Sequence, residues 1–272
     1  MEKNSKEQKS KGFTGIKSSG LVILACLGLA VLIYHFILGN PANFMDNNPE
    51  GEPLPGNLMA TIYKGGIIVP MIQCLLLTVI ALSVERFFAI KTAQGKGKLV
   101  SFVKEIKVAL KNNDLKAAAA ICDKQQGSVG NVVSSTLIKY AEVEEDKTLS
   151  KEQQILAIQK EVEEATALEL PMLSQNLPII ATITTLGTLL GLLGTVIGMI
   201  RSFAALATGG AVDSIALSAG ISEALINTAF GIATGALAVV SYNYFTSKID
   251  SITYCIDEVG FSIVQSFAAS HK

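Results

Sequence analysis

The stretch Leu186–Gly198, LGTLLGLLGTVIG, restricts this chain more than any other, because a helix in water would not be built this way. Gly187, Gly191, Gly194 and Gly198 recur at offsets of four, three and four. On a helix they form one smooth stripe against which another backbone can lie closely. Each glycine destabilises an aqueous helix by roughly 1 kcal/mol relative to alanine. A bilayer, where close helix approach repays that loss, is the expected setting. Thr188 and Thr195, seven residues apart, put hydroxyls on an adjoining strip of the same helix.

Composition supports that setting: 50% of the residues are hydrophobic and there is no Trp. Four apolar runs, Leu21–Leu38, Ile67–Val84, Ile179–Leu206 and Ile221–Phe245, approach the roughly 20 residues that cross a hydrocarbon core. The first follows a basic stretch, as a signal peptide would. It is longer than a signal core and no Ala-x-Ala site follows, so an uncleaved anchor is expected. The fold class is therefore an all-α integral membrane protein with four transmembrane helices, a helical cytoplasmic domain and long helices extending from the membrane.

Lysines give the orientation. Lys3, Lys6, Lys9, Lys11 and Lys17 precede the first run, and the segment Arg86–Lys160 is rich in Lys, whereas Ala207–Ala219 has neither Lys nor Arg. The positive-inside rule places both termini and the middle segment in the cytoplasm. The expected organisation begins with a cytoplasmic tail (1–20), a first anchor (21–39), a periplasmic loop (40–66) and a second span (67–88). A cytoplasmic helical domain (89–178) leads to a third span (179–206). A periplasmic turn (207–219) precedes the fourth span (220–245) and a cytoplasmic C-terminal helix (246–272).

Little in the chain speaks for bond-making chemistry. Cys26, Cys74, Cys122 and Cys255 are dispersed without metal-ligand spacing and read as free thiols. His35 and His271 are far apart in sequence, and no nucleotide loop, dinucleotide fingerprint or Ser-His-Asp set occurs. The expectation is no enzyme, no cofactor, no metal and no nucleic acid, since no basic face recurs with interleaved aromatics.

The middle segment reads as water-exposed helices. Leu99, Phe102, Val103, Ile106 and Leu110 make one stripe opposite Lys104, Lys107 and Lys111. Asp114 is placed to cap a helix from Leu115, and Val129–Tyr140 supplies another. Ser150 and Gln153 have capping-box spacing at the start of a long helix. That helix is expected to run past Pro171 and Pro178 into the third span as an unbroken rod, the alternative being a break at Pro178. Glu85 and Arg86 read either as interfacial anchors or as docking onto the cytoplasmic helices.

Spans three and four form a hairpin about Thr208-Gly209-Gly210, so residues equidistant from the turn share a membrane depth. Counting from Val212 pairs Thr195 with Thr228, and Arg201 with Glu223. Gly220, Ala224, Thr228, Gly231 and Gly235 run down one side of the fourth span. In an assembly of several copies such faces would surround a narrow lumen lined by Thr195 and Thr228. A threonine that bonds back to its own helix is the plainer alternative. Glu223 is the carboxylate embedded in this apolar context, a functional candidate that Arg201 can neutralise, or a first-turn acid favoured by the helix dipole. Hydroxyls do not titrate near neutrality, so a proton path here calls for a titratable acid from a second polypeptide.

The motifs GLLGTVIGMIRSF (Gly191–Phe203), AGISEALINTAFGIATGALAVVSYNYF (Ala219–Phe245) and SVERF after the second span resemble the MotA/TolQ/ExbB proton-channel family, most closely ExbB. The resemblance covers roughly Ile67 to the C-terminus. It implies a bacterial inner-membrane subunit, pentameric around an ExbD/TolR-like single-span partner whose membrane aspartate carries protons, acting on a TonB-like protein to energise transport across the outer membrane. A TolQ-like role in envelope integrity, a motility stator and a passive membrane scaffold are the alternatives. By the same resemblance Thr195 and Thr228 are pore-facing and Glu223 is the family's membrane glutamate. The chain departs from the family pattern at Thr188 and at Gly231–Ala236, where proline is usual, so Thr188 and Thr234 add hydroxyls to the expected path. The first span is extra relative to a three-span member.

Overall fold

The computed structural model describes residues 18–208 and 214–270. The basic N-terminal lysines, Gly209 and Gly210 of the expected turn, and His271 lie outside the described residues. Among the described residues the fold is all-α, with one isolated bridge between Phe44 and Pro53. Helices α1 (Ser19–Leu32, continued by a π-helical turn Ile33–Leu38), α2 (Leu58–Tyr63) and α3 (Ile68–Gln94) come first. Then follow α4 (Leu99–Lys111), α5 (Leu115–Gln125), α6 (Gly127–Glu145), α7 (Lys151–Ser174), α8 (Leu177–Thr208) and α9 (Ser214–Ser270). Among the described residues four helices are long and apolar enough to cross a membrane, and the chain is a multi-pass membrane protein.

The described residues divide into two compact units, 85–175 with 244–270, and 18–84 with 176–208 and 214–243. In the first, the stripe read from the sequence packs as expected: Phe102, Val103, Ile106 and Leu110 are buried. Asp114 Oδ1 accepts from the Ala117 amide at 2.9 Å, starting α5. Ser150 and Gln153 complete a reciprocal capping box at the head of α7. The C-terminal part of α9 closes this core, with the Phe267 ring edge-on to Tyr140 at 4.9 Å and Ser266 donating to the Leu110 carbonyl at 3.2 Å.

Arg86 is fully buried in this unit. Its Nε donates to Glu85 Oε2 at 2.6 Å, and its Nη1 donates to the Met172 and Leu173 carbonyls at 3.1 and 3.3 Å. Those are last-turn carbonyls of α7 that lack intrahelical donors, so a guanidinium satisfies them where water is excluded. The docking alternative for Glu85 and Arg86 is the one realised.

The expected unbroken rod is not. Helix α7 ends at Ser174 and α8 begins at Leu177, with Asn176 at φ 65° between them. Pro171 is accommodated inside α7. Pro178 falls in the first turn of α8, where a missing N–H removes no helical bond. The break falls at Asn176, a residue type that tolerates the left-handed backbone, and Pro178 lacks the N–H that would carry the α7 hydrogen-bond ladder onward.

In the second unit α1 packs on α3 through Cys26, Ala30 and Cys74. Residues 40–66 are more ordered than an irregular loop. Two short 3-10 turns and α2 fill the segment, and Asn57 Oδ1 caps α2 by accepting from Met59 and Ala60 at 3.0 and 3.2 Å. Threonines in the apolar helices return their hydroxyls to their own backbone, as Thr78 does to the Cys74 carbonyl at 2.8 Å and Thr234 to Phe230 at 2.9 Å.

Candidate membrane site of the α8–α9 hairpin

The glycine stripe of α8 lies against α9 of the same chain. A Cβ on Gly187 would stand 3.2 Å from the Gly231 carbonyl oxygen, one on Gly191 3.0 Å from the Asn227 carbonyl, and one on Gly198 2.8 Å from the Gly220 carbonyl. From the other side, a Cβ on Gly231 would meet Gly191 Cα at 2.7 Å, and one on Gly235 the Thr184 carbonyl at 2.7 Å. Gly194 faces the side chain of Asn227. The seam is therefore backbone on backbone, as small residues permit in a bilayer. Leu189, Leu192, Val196 and Ile200 point away from it and are exposed.

Close approach brings the polar groups of the two helices together. The Thr195 and Thr228 hydroxyls are in direct hydrogen-bond contact. Thr195 Oγ1 also donates within reach of the Gly191 carbonyl at 3.2 Å and the Ala224 carbonyl at 3.3 Å, and Thr228 Oγ1 lies 3.4 Å from the Gly191 carbonyl. The depth count from the turn thus matches the packing, and both threonines are half-buried. Two hydroxyls sharing two carbonyls can exchange donor and acceptor roles without leaving a polar atom unpaired.

Arg201 and Glu223 form the second matched pair, Nη1 to Oε1 at 2.7 Å. The Glu223 side chain is 10% exposed and the Arg201 side chain 54%. The acid is enclosed while the base keeps contact with the surroundings, the geometry of a long side chain reaching outward. Thr188 stands apart from these pairs. It bonds back to the Thr184 carbonyl at 3.4 Å and lies 3.0 Å from where a Gly235 Cβ would be.

Sequence reasoning missed Asn227, Ser202 and the Gly65–Gly66 turn. Asn227 is fully buried one helical turn beyond Glu223, and its Nδ2 donates to the Gly65 carbonyl at 2.8 Å. Ser202, also fully buried, donates to the Gly198 carbonyl at 3.1 Å and to Leu217 at 3.3 Å. An Asn in an apolar span was the available signal, since a polar group there needs a partner. Its partner is 162 residues away in sequence and could not be read from spacing. Among the described residues no group of three or more His, Cys, Asp or Glu is placed to hold a metal.

The sequence signature of the MotA/TolQ/ExbB proton channel family matches residues 132–258, which include the whole hairpin site. The chain is 39% identical over 88 residues to the putative biopolymer transport protein ExbB-like 3 of Synechocystis, a match covering 32% of this chain and 42% of that protein. It is 38% identical over 80 residues to the Tol-Pal system protein TolQ of Pseudomonas aeruginosa, covering 29% and 35%. It is 34% identical over 85 residues to the biopolymer transport protein ExbB of Salmonella typhimurium, covering 31% and 35%. The chain thus spans less than half the length of each of these three relatives.

Proposed function

We propose that the chain, whose residues 132–258 match the signature of the MotA/TolQ/ExbB proton channel family, is the channel subunit of an ExbB–ExbD-type complex in a bacterial inner membrane. In this reading several copies, five by family resemblance, surround the membrane helix of an ExbD/TolR-like partner, with both termini of each copy in the cytoplasm. The partner's membrane aspartate supplies the titratable acid that Thr195 and Thr228 cannot. The motive force then drives movement that is passed to a TonB-like protein for transport across the outer membrane.

The observation that carries this proposal is the Thr195–Thr228 contact, lodged in a glycine seam on the same hairpin as the Arg201–Glu223 pair. Hydroxyls that bond each other and backbone carbonyls form a polar strip along an otherwise apolar wall, able to pass a proton to and from a carboxylate brought alongside. Glu223, closed in by the packing and paired to Arg201, fixes a negative charge near one end of that strip.

The test is proton flux into vesicles carrying the chain co-purified with its partner. Thr195→Val and Thr228→Val keep the side-chain shape and remove the hydroxyl, and each is expected to abolish most of the coupled flux. Undiminished flux in both would remove the pore assignment and favour a passive scaffold. A TolQ-like role in envelope integrity is the second reading, supported by the TolQ relatives. Complementation of strains lacking one system or the other separates them.

A further inference from the structure

The first helix and the segment after it converge on the hairpin. Tyr34, in the π-helical turn that ends α1, stacks on Tyr63 with ring centroids 4.6 Å apart and donates its hydroxyl to the Tyr63 carbonyl at 3.1 Å. Tyr63 ends α2, and the chain turns immediately through Gly65 and Gly66 into α3. The Gly66 backbone, at φ 72°, lies so close to the ion pair that a Cβ there would stand 2.6 Å from Glu223 Oε1 and 3.3 Å from Arg201 Nη1. Glycine is required twice over, for the left-handed backbone and for the approach.

Asn227 ties this turn down, yet only half of its amide is satisfied. Nδ2 donates to the Gly65 carbonyl, whereas the buried Oδ1 has no hydrogen-bond partner among the described residues. A buried acceptor left so is penalised, and water would satisfy it. Closing the turn satisfies the donor and strands the acceptor, whereas lifting it lets water reach both groups of the amide. The stranded acceptor offsets part of what the donor contributes, so the contact holds without locking.

From this we infer that Asn227 is a positioning residue. It holds the Gly65–Gly66 turn as a releasable clamp over the Glu223–Arg201 pair, with the first helix bracing the clamp from behind through Tyr34. The inference rests on the proposed ion path for its consequence, since a closed clamp keeps water from Glu223 and an open one admits it. It gives the extra first span a task, that of carrying the brace.

Amide hydrogen exchange on the full chain in lipid nanodiscs tests the clamp, and resting proton leak in vesicles carrying the chain with its partner tests its consequence. Asn227→Leu removes the tether at similar size, and Gly66→Ala wedges the turn from the opposite side. Both are expected to speed exchange of amides 62–66 by about tenfold or more while α8 and α9 stay protected, and to raise the leak several-fold. Thr195→Val, the control, should leave exchange at the turn unchanged. Unaltered exchange in both clamp variants, or faster exchange spread equally over α8 and α9, would overturn the inference. So would a leak equal to that of the unsubstituted protein once the turn has been freed. If the unsubstituted complex carries no protons at all, the channel reading fails instead, and the exchange result still decides whether Asn227 holds the turn.

Discussion

Single atoms decide the hairpin. A Cβ at Gly231 would lie 2.6 Å from the Gly187 carbonyl oxygen and 2.7 Å from Gly191 Cα, both backbone atoms that cannot rotate aside. Gly231→Ala is therefore expected to destabilise the protein by about 1–3 kcal/mol, the range of core overpacking, read as a lower thermal midpoint in detergent. Alanine in place of Gly28, which has nothing within 4 Å, should leave that midpoint unchanged or raise it. Arg86 presents the opposite risk, a vacancy. Arg86→Met leaves the Glu85 carboxylate buried without its guanidinium and the α7 carbonyls without their donor, a loss of about 3–5 kcal/mol. The double variant Glu85→Leu with Arg86→Met should recover much of this in the same unfolding assay, because no charge is then stranded.

At the scale of elements, legibility followed the range of the interaction. The α4 stripe, the Asp114 cap and the Ser150–Gln153 box depend on residues within a few positions of one another, so spacing alone exposed them. The depth match of Thr195 with Thr228, and of Arg201 with Glu223, was legible because an antiparallel hairpin converts counting into geometry. The α7–α8 break runs against the expected unbroken rod, because an asparagine, Asn176, and not a glycine takes the left-handed backbone that makes the turn. Asn176→Val, β-branched and strained at φ 65°, should be less stable than Asn176→Gly by about 1–2 kcal/mol in thermal unfolding. Asn227 and Gly65 escaped entirely, since nothing local in either stretch names a partner so far along the chain.

Across the whole molecule the four cysteines are buried and free, and they report on folding more than on chemistry. Burial pushes the Cys122 thiol up to about 12 and that of Cys255 up to about 11, from an ordinary value of 9.0. A thiol held above its unfolded value favours the folded state fully below about 9 and loses that contribution as pH rises towards 11 and 12. Cys122 and Cys255 should accordingly resist a thiol-specific chromogenic reagent at pH near 8 until denaturant is added. Thermal midpoints should fall between pH 9 and 11, and less so when Cys122 and Cys255 are both replaced by alanine. The two faces of α8 carry a last consequence. One is glycine set on backbone, while the other is Leu189, Leu192, Val196 and Ile200 turned outward. In a saturation scan the outward residues should exchange freely among aliphatics, like words with synonyms, and the glycines should accept no replacement, so that tolerance alternates along the helix with its own pitch.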